Sequence, residues 1–343
     1  MILVDAVYIT YGGGKVLLDL LIEKIEQTEN KNKIHILIDI RNKDLFLNVK
    51  YNKITIIFLK NSELSRALFY IKNRNLLSKV FCFANIPPPI RLKCKVSTFF
   101  QNILLIDREL RSNFSFKLRL SLFLKEIILK SRNNFCDDWI VQTEHVKVLL
   151  ANNLNIQKQS IKIFPCFEDI NINLKNKTSS AFFYPAINMS HKNLEKLIDV
   201  WNYLFKKNLL RNELHLTIEN NDTNNISTKL FKYQLEGVPI VNHKYISKFE
   251  VNKLYAKCKF VIHPSLGESF GLVLIEAIQN NCVLLAPNLP YVNSIVKPNY
   301  YFDPHKTESL VQTILSAISG ENKLPASIVI KNKSKDFINH ILN

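Results

Sequence analysis

The chain lacks most of what would place it outside the ordinary globular class. No stretch approaches the roughly 18 uninterrupted apolar residues that a spanning helix needs. The best candidate, FKLRLSLFLKEIILK over residues 116–130, carries charges throughout. The N-terminus, MILVDAVYIT, has no basic n-region, long apolar h-region or small-residue cleavage site, so a cytoplasmic location is expected. The six cysteines (Cys82, Cys94, Cys136, Cys166, Cys258, Cys282) form no C-x-x-C pair and have no histidine partners at zinc spacing, which predicts reduced thiols rather than a metal site or disulfides. Acidic residues are in deficit, 29 against 46 Lys and Arg, for a net charge of +17. Such an excess suits a phosphate backbone. Yet no nucleic-acid-binding module is visible, and the saturation in Lys, Asn and Ile explains part of the charge as compositional bias, so no nucleic-acid partner is expected.

What is present is a packed, enzyme-sized composition, 47% hydrophobic and 22% charged over 343 residues, long enough for two cores. Short apolar runs alternate with helical patterns, the signature of α/β domains with parallel sheets flanked by helices. Strands are predicted near 2–9, 34–40, 53–59, 79–84, 95–100, 139–142 and 161–164. A second series falls near 181–184, 213–219, 238–241, 258–263, 282–286 and 300–302, with helices near 191–207, 225–235, 247–256, 270–280 and 306–319. The polar, Asn-rich segment Phe167 to Ser179 reads as a linker. The predicted organisation is therefore a Rossmann-like domain over 1–166, a linker over 167–179, a second such domain over 180–322, and a tail or helix over 323–343 returning toward the first. Open parallel sheets bind ligands outside the carboxyl ends of their strands, here in a cleft between the domains.

Residues 108–132 hold seven basic residues against Glu109 and Glu126, interleaved with Phe114, Phe116, Leu120, Phe123 and Ile127. Two readings stand: a long amphipathic helix resting on an anionic membrane surface, or a core-packed helix with a solvated basic face.

Only seven glycines occur, and five lie in two places: Gly12, Gly13 and Gly14, and the pair Gly267 and Gly271. Both follow a predicted strand and open a predicted helix, where backbone approaches a ligand and amides face an anion. YGGGK matches neither a Walker loop nor G-x-G-x-x-G. The second place is richer. In HPSLGESFGLVLIEA, Glu268 and Glu276 stand eight positions apart around the start of a helix; carboxylates accept paired sugar hydroxyls, and the amides of Ser269, Phe270 and Gly271 can hold a phosphate. Ser247 and Glu250 predict a capping box for the helix before it. In ANIPPPIRLK, which follows the strand near 79–84, each residue preceding a proline is held extended, so Ile86 to Pro89 form a stiff segment after Asn85, either an acceptor contact or a rigid connector.

These residues resemble the retaining glycosyltransferases of GT-B fold known as glycosyl transferases group 1, or family four. HPSLGESFGLVLIEA is similar to their Glu-x7-Glu signature, GGG to their N-terminal glycine loop, HKNLEKLIDVWNYL to their K-N/G-L-x-x-L-I helix, and YISKFEVNKLYAKCKFVIHPS to the segment before the signature. The resemblance implies two Rossmann-like domains facing a cleft. It assigns Glu276 to the donor ribose, Glu268 to the transferred sugar, Lys192 to the diphosphate, and Tyr245 and Ile246 to the nucleobase. Retention would proceed by front-face attack assisted by the leaving phosphate, without a metal ion or other cofactor.

Two departures are visible. The family's usual Arg falls near Ala186, leaving His191 as the neighbouring donor-binding candidate. Its usual N-domain His falls at Phe100, followed by Gln101 and Asn102, amides that can hydrogen-bond an acceptor beside the Gly12 to Gly14 loop but cannot act as bases. The expected activity is transfer of a hexose-type sugar from a UDP- or GDP-sugar to a glycan or undecaprenyl-diphosphate-linked acceptor, in O-antigen or capsule synthesis, with peripheral contact to the anionic inner membrane. The alternatives are a nucleotide-sugar epimerase on the same fold and a noncatalytic scaffold.

Overall fold

The computed structural model describes all residues except 11, 30–32, 47–48, 113, 170–176, 186, 220–225 and 343. Most of the predicted linker and the Ala186 position thus lie outside the described residues. The chain forms two compact units: Met1–Arg108 with Ser115–Glu168 and Lys331–Asn343, and Glu109–Phe114 with Asp169–Ile330.

In the first unit, strands β1 (Ile2–Ala6), β2 (Ile34–Asp39), β3 (Ile54–Leu59), β4 (Lys79–Cys82), β5 (Lys95–Phe99), β6 (Asp138–Val141) and β7 (Ile161–Ile163) form a parallel sheet in the order β3-β2-β1-β4-β5-β6-β7. Its helices are α1 (Gly12–Gln27), α2 (Glu63–Asn73), α3 (Phe116–Ser131), α4 (Glu144–Leu154) and, from the C-terminus, a helix over Ser334–Leu342. Both sheet faces are covered, which explains why its strands read as continuous apolar runs. Val4, Ala6, Ile36, Ile38, Phe81 and Phe99 pack under α1 and the C-terminal helix, whose Phe337 ring lies 5.0 Å from Phe99. Leu3, Val7, Leu37, Val80 and Val96 pack on the other face with Tyr70 of α2.

The second unit holds β8 (Ser179–Tyr184), α5 (Leu194–Lys206), β9 (Leu214–Leu216), α6 (Ile226–Leu235), β10 (Ile240–Asn242), α7 (Lys248–Lys257), β11 (Cys258–Ile262), α8 (Leu272–Gln279), β12 (Val283–Pro287), α9 (Pro290–Asn293), β13 (Val296–Lys297), β14 (Tyr300–Phe302), α10 (Thr307–Ser319) and β15 (Ser327–Ile328); the C-terminal helix of the first unit is α11. Its main sheet is parallel, ordered β10-β9-β8-β11-β12-β14, while β13 and β15 pair antiparallel beside it. Trp201 of α5 is wholly buried against Phe182.

Three sequence expectations need correction. The helix read over 108–132 begins at Phe116, and Glu109–Phe114 clusters with the second unit; before it, Ser112 N donates to the Glu109 carbonyl at 3.0 Å and Phe114 N to the Arg111 carbonyl at 3.1 Å, turn bonds in place of helical ones. Gly12, Gly13 and Gly14 are the first turn of α1 rather than a loop. Helix α8 starts two residues later than Phe270, because Gly271 adopts a left-handed φ of 71° and forms the cap.

One buried group was not singled out by the sequence. Arg66 of α2 is 1% exposed; its Nε donates to Asp5 Oδ2 at 2.7 Å, Nη1 to the Pro87 carbonyl at 3.0 Å and Nη2 to the Ile86 carbonyl at 2.8 Å. Tyr70 donates to the same Asp5 oxygen at 2.8 Å. Replacing Arg66 by Met strands a buried carboxylate and two carbonyls, so Arg66→Met is expected to cost about 3–5 kcal/mol in urea denaturation, and a compensating Asp5→Leu to recover much of it. Equal midpoints for wild type and Arg66→Met would disprove this accounting.

Candidate active site

The second unit builds its site at the carboxyl ends of β8 and β11. After β11 the chain continues as the loop His263–Gly271, fixed at several points. His263 N donates to the Leu285 carbonyl at 2.9 Å, Leu266 N to the His191 carbonyl at 2.8 Å, and the Tyr291 hydroxyl to the Ser265 carbonyl at 2.7 Å. Gly267 admits close approach: a Cβ there would lie 2.3 Å from Leu110 Cδ1. Gly271 permits the left-handed turn into α8, where any other residue would be strained. Facing this loop is the turn Ser190–Lys192 that precedes α5.

These two segments bring together Lys192, His191 and Glu268. Lys192 Nζ lies 2.6 Å from Glu268 Oε1, and both side chains are less than one-fifth exposed. Burial would raise the Glu268 pKa, but Lys192, foremost, and the nearby histidines hold it at about 2. His263, which sequence reasoning passed over, backs the same carboxylate with Nε2 at 3.6 Å from Oε1. It sits 1% exposed between the rings of Tyr184 and Tyr291. Burial pushes the pKa of His263 and of His191 down to about 4. A neutral His191, edge-on to Phe114 at 5.9 Å, supplies a polar ring and not the second positive charge that the family's Arg would bring. A cavity of about 880 Å³ opens beside this turn, lined in part by Ser190, Asn193, Leu266 and Thr307.

Glu276 is held separately, on α8. Its Oε1 pairs with Lys248 Nζ, and its Oε2 accepts from the buried Tyr255 hydroxyl at 2.9 Å. Lys248 opens α7 behind the predicted capping box of Ser247 and Glu250, which is present. The Tyr245–Ile246 stretch runs directly into this cap, and Tyr245 is 77% exposed. Each carboxylate therefore has a lysine, and Glu276 also has a neutral hydrogen-bond donor. Ser269 and the buried Phe270 lie between Glu268 and the Gly271 cap.

In the first unit, Gly14, Asn85 and Gln101 converge. A Cβ on Gly14 would sit 3.5 Å from Gln101 Oε1, and Asn85, at φ 69°, accepts the Gln101 N–H at 2.7 Å. Gln101 Nε2 donates to the Phe83 carbonyl at 2.5 Å, and Asn102 Oδ1 caps Leu104 N at 3.2 Å. These amides are partly spent on backbone. Gly12 and Gly13 face open space, and the buried Phe100 occupies the position where a histidine was looked for.

Residues 167–335 match the family described as glycosyl transferases group 1. No curated protein matches the chain. Among solved structures, HepE of Anabaena in complex with UDP-glucose is similar over 99% of this chain and 95% of its own, at 13% identity and a TM-score of 0.68. WaaG, a glycosyltransferase involved in lipopolysaccharide biosynthesis, is similar over 93% and 90%, at 12% identity and 0.66. The lipopolysaccharide outer core galactosyltransferase WaaB is similar over 99% and 93%, at 14% identity and 0.59. The fold, with its two parallel sheets, is that of the GT-B glycosyltransferases.

The buried histidines make stability pH-dependent. Unfolded, each takes up a proton near 6.5; folded, only near 4, so their contribution is complete above pH 6.5 and lost as pH falls toward 4. Glu268 adds stability that is present above its usual 4.5 and lost as pH falls through about 2. Urea midpoints of the wild type should drop between pH 6.5 and 4, and those of His263→Gln less steeply. Parallel pH profiles for the two proteins would show that His263 is not held neutral.

Proposed function

From the premise that this chain is a GT-B glycosyltransferase whose residues 167–335 belong to the glycosyl transferases group 1, we propose that it transfers a hexose-type sugar from a nucleotide-diphosphate sugar, with retention, to a saccharide acceptor in surface polysaccharide synthesis. The observation that carries this reading is the pairing of Lys192 with Glu268 at the mouth of α8. A buried lysine 2.6 Å from a carboxylate is neutralised while no anion is present. When a diphosphate arrives, Lys192 turns its charge to the phosphates and Glu268, still ionised and still backed by His263, accepts sugar hydroxyls. The first-turn amides of α8 add the positive end of a helix dipole. The leaving diphosphate is thereby stabilised by fixed groups of the chain rather than by a metal ion. Glu276, gripped by Tyr255 and Lys248, is oriented to take the ribose hydroxyls, and Tyr245 and Ile246 lie next to α7 to meet the base.

A UDP-sugar donor is supported by the similar HepE of Anabaena, seen with UDP and with UDP-glucose. The acceptor is read as a glycan or a lipid-linked saccharide, approached by the Gly12–Gly14 turn and Asn85 with Gln101 and Asn102, and walled by Ile86–Pro89. A lipid-linked acceptor calls for membrane contact, and α3 offers it: Lys117, Arg119 and Lys125 flank exposed Phe116 and Phe123. Among the described residues no helix is long and apolar enough to cross a membrane, so that contact would be peripheral.

Glu276→Ala is expected to raise the donor KM about 10–100-fold, the cost of losing hydrogen bonds to a charged group. Lys192→Ala should lower kcat about 10²–10³-fold, as for removal of a donor that faces charge developing in the transition state. Steady-state kinetics with UDP-glucose, and thermal stabilisation by UDP, read both. Near-normal turnover by both variants would defeat the assignment.

A further inference from the structure

Helix α2 is built inside out. Its buried positions are Arg66 and Tyr70, whereas Leu64, Leu68 and Ile71, spaced i, i+4, i+7 along one face, are each more than half exposed. Helix α3 repeats the pattern: Leu122, Glu126 and Leu129 face inward, while Phe116, Leu120, Phe123 and Ile127 form an outward stripe between 45 and 79% exposed. A helix on a water-facing surface normally shows the opposite arrangement.

The topology places both stripes on one side of the first unit. Chain direction from β3 to β4 and from β5 to β6 advances the same way along the sheet, so right-handed crossovers put α2 and α3 on the same face, opposite α1 and α11. Arg132, just past α3, confirms their proximity by pairing with Glu63 of α2 at 2.6 Å. Neither helix presents an acidic group outward. Glu63 is taken by Arg132 and the Tyr8 hydroxyl, and Glu126 is 1% exposed and paired with Lys130 and Arg108. What remains outward is apolar surface bordered by Lys72, Lys117, Arg119 and Lys125. Exposed apolar stripes of this kind mark an interaction site. Its like-charged cationic border disfavours a second copy of the chain and complements an anionic lipid surface.

We infer that α2 and α3 together form a two-helix platform that inserts Leu64, Leu68 and Ile71 alongside the α3 stripe into an anionic bilayer surface. This rests on the membrane reading of α3 and extends it to a second helix. Two insertion stripes fix the unit's orientation on the surface, as one helix, free to roll about its axis, does not.

The test is flotation of the full chain with phosphatidylcholine vesicles with and without phosphatidylglycerol, alongside size-exclusion chromatography and transfer to a water-soluble acceptor. The expected result is binding only to the anionic vesicles, weakened by salt. Leu64→Ser/Leu68→Ser/Ile71→Ser and Phe116→Ser/Phe123→Ser should each lose binding about tenfold or more, with melting temperature and soluble-acceptor transfer unchanged because these side chains are exposed. Wild-type vesicle binding retained in full by the α2 variant but lost by the α3 variant would overturn the platform and leave the α3 reading standing. Absence of wild-type binding would overturn both. A wild-type dimer that the α2 variant converts to monomer would assign the face to a second copy instead.

Discussion

The ion pair between Lys192 and Glu268 is the interaction on which the site depends. Two charges held this deep in the unit are costly to desolvate, and an apolar pair would serve stability as well. Their retention makes sense as stored electrostatics. The carboxylate positions the lysine where water is scarce, and the lysine keeps the carboxylate ionised although burial opposes it. On the proposed donor-binding role, an incoming diphosphate would take the lysine while sugar hydroxyls take the carboxylate, so that neither charge is left bare. His263, kept neutral by burial, sets no second positive charge beside Glu268 to compete with Lys192.

The second carboxylate obeys a different logic. Glu276 sits inside α8 among Leu274, Ile275 and Ala277, all fully buried, yet it is satisfied by the Tyr255 hydroxyl from one helix and by the mobile end of an exposed-stemmed lysine from the same helix. Tyr255 is the fixed partner and Lys248 the exchangeable one. Both acids thus pair with a lysine, although eight residues of chain and a change from loop to helix separate them.

Much of this was legible in the residues. Strand positions followed from apolar runs bounded by turn residues, and the start of α7 from Ser247 and Glu250, because these signals are local. The motif around Glu268 was legible because glycines are so few that Gly267 and Gly271 stood out. Less was legible where a partner comes from afar. His263 lay in plain sight in the motif, but nothing local announces that Tyr184 and Tyr291 enclose it or that it backs Glu268. His191 was legible as a donor-binding candidate, but only its burial shows that it is neutral. Nothing in the sequence singled out Arg66; its partners Asp5, Ile86 and Pro87 come from other strands and loops.

Arg66 also accounts for the reversed surface of α2. A buried guanidinium with three partners occupies the face a leucine would normally fill, and its stacking over Tyr8 at 5.3 Å and its grip on the Ile86 and Pro87 carbonyls tie the ends of β1 and β4 to this one helix. With Arg66 and Tyr70 as its fully buried positions and Phe69 packed in part against the core, Leu64, Leu68 and Ile71 add nothing to it, and a helix selected only for folding would carry polar residues there. Leu64, Leu68 and Ile71 are thus unexplained by packing, and the same holds for Phe116 and Phe123 on α3. The buried hub and the outward leucines are thus opposite faces of one helix.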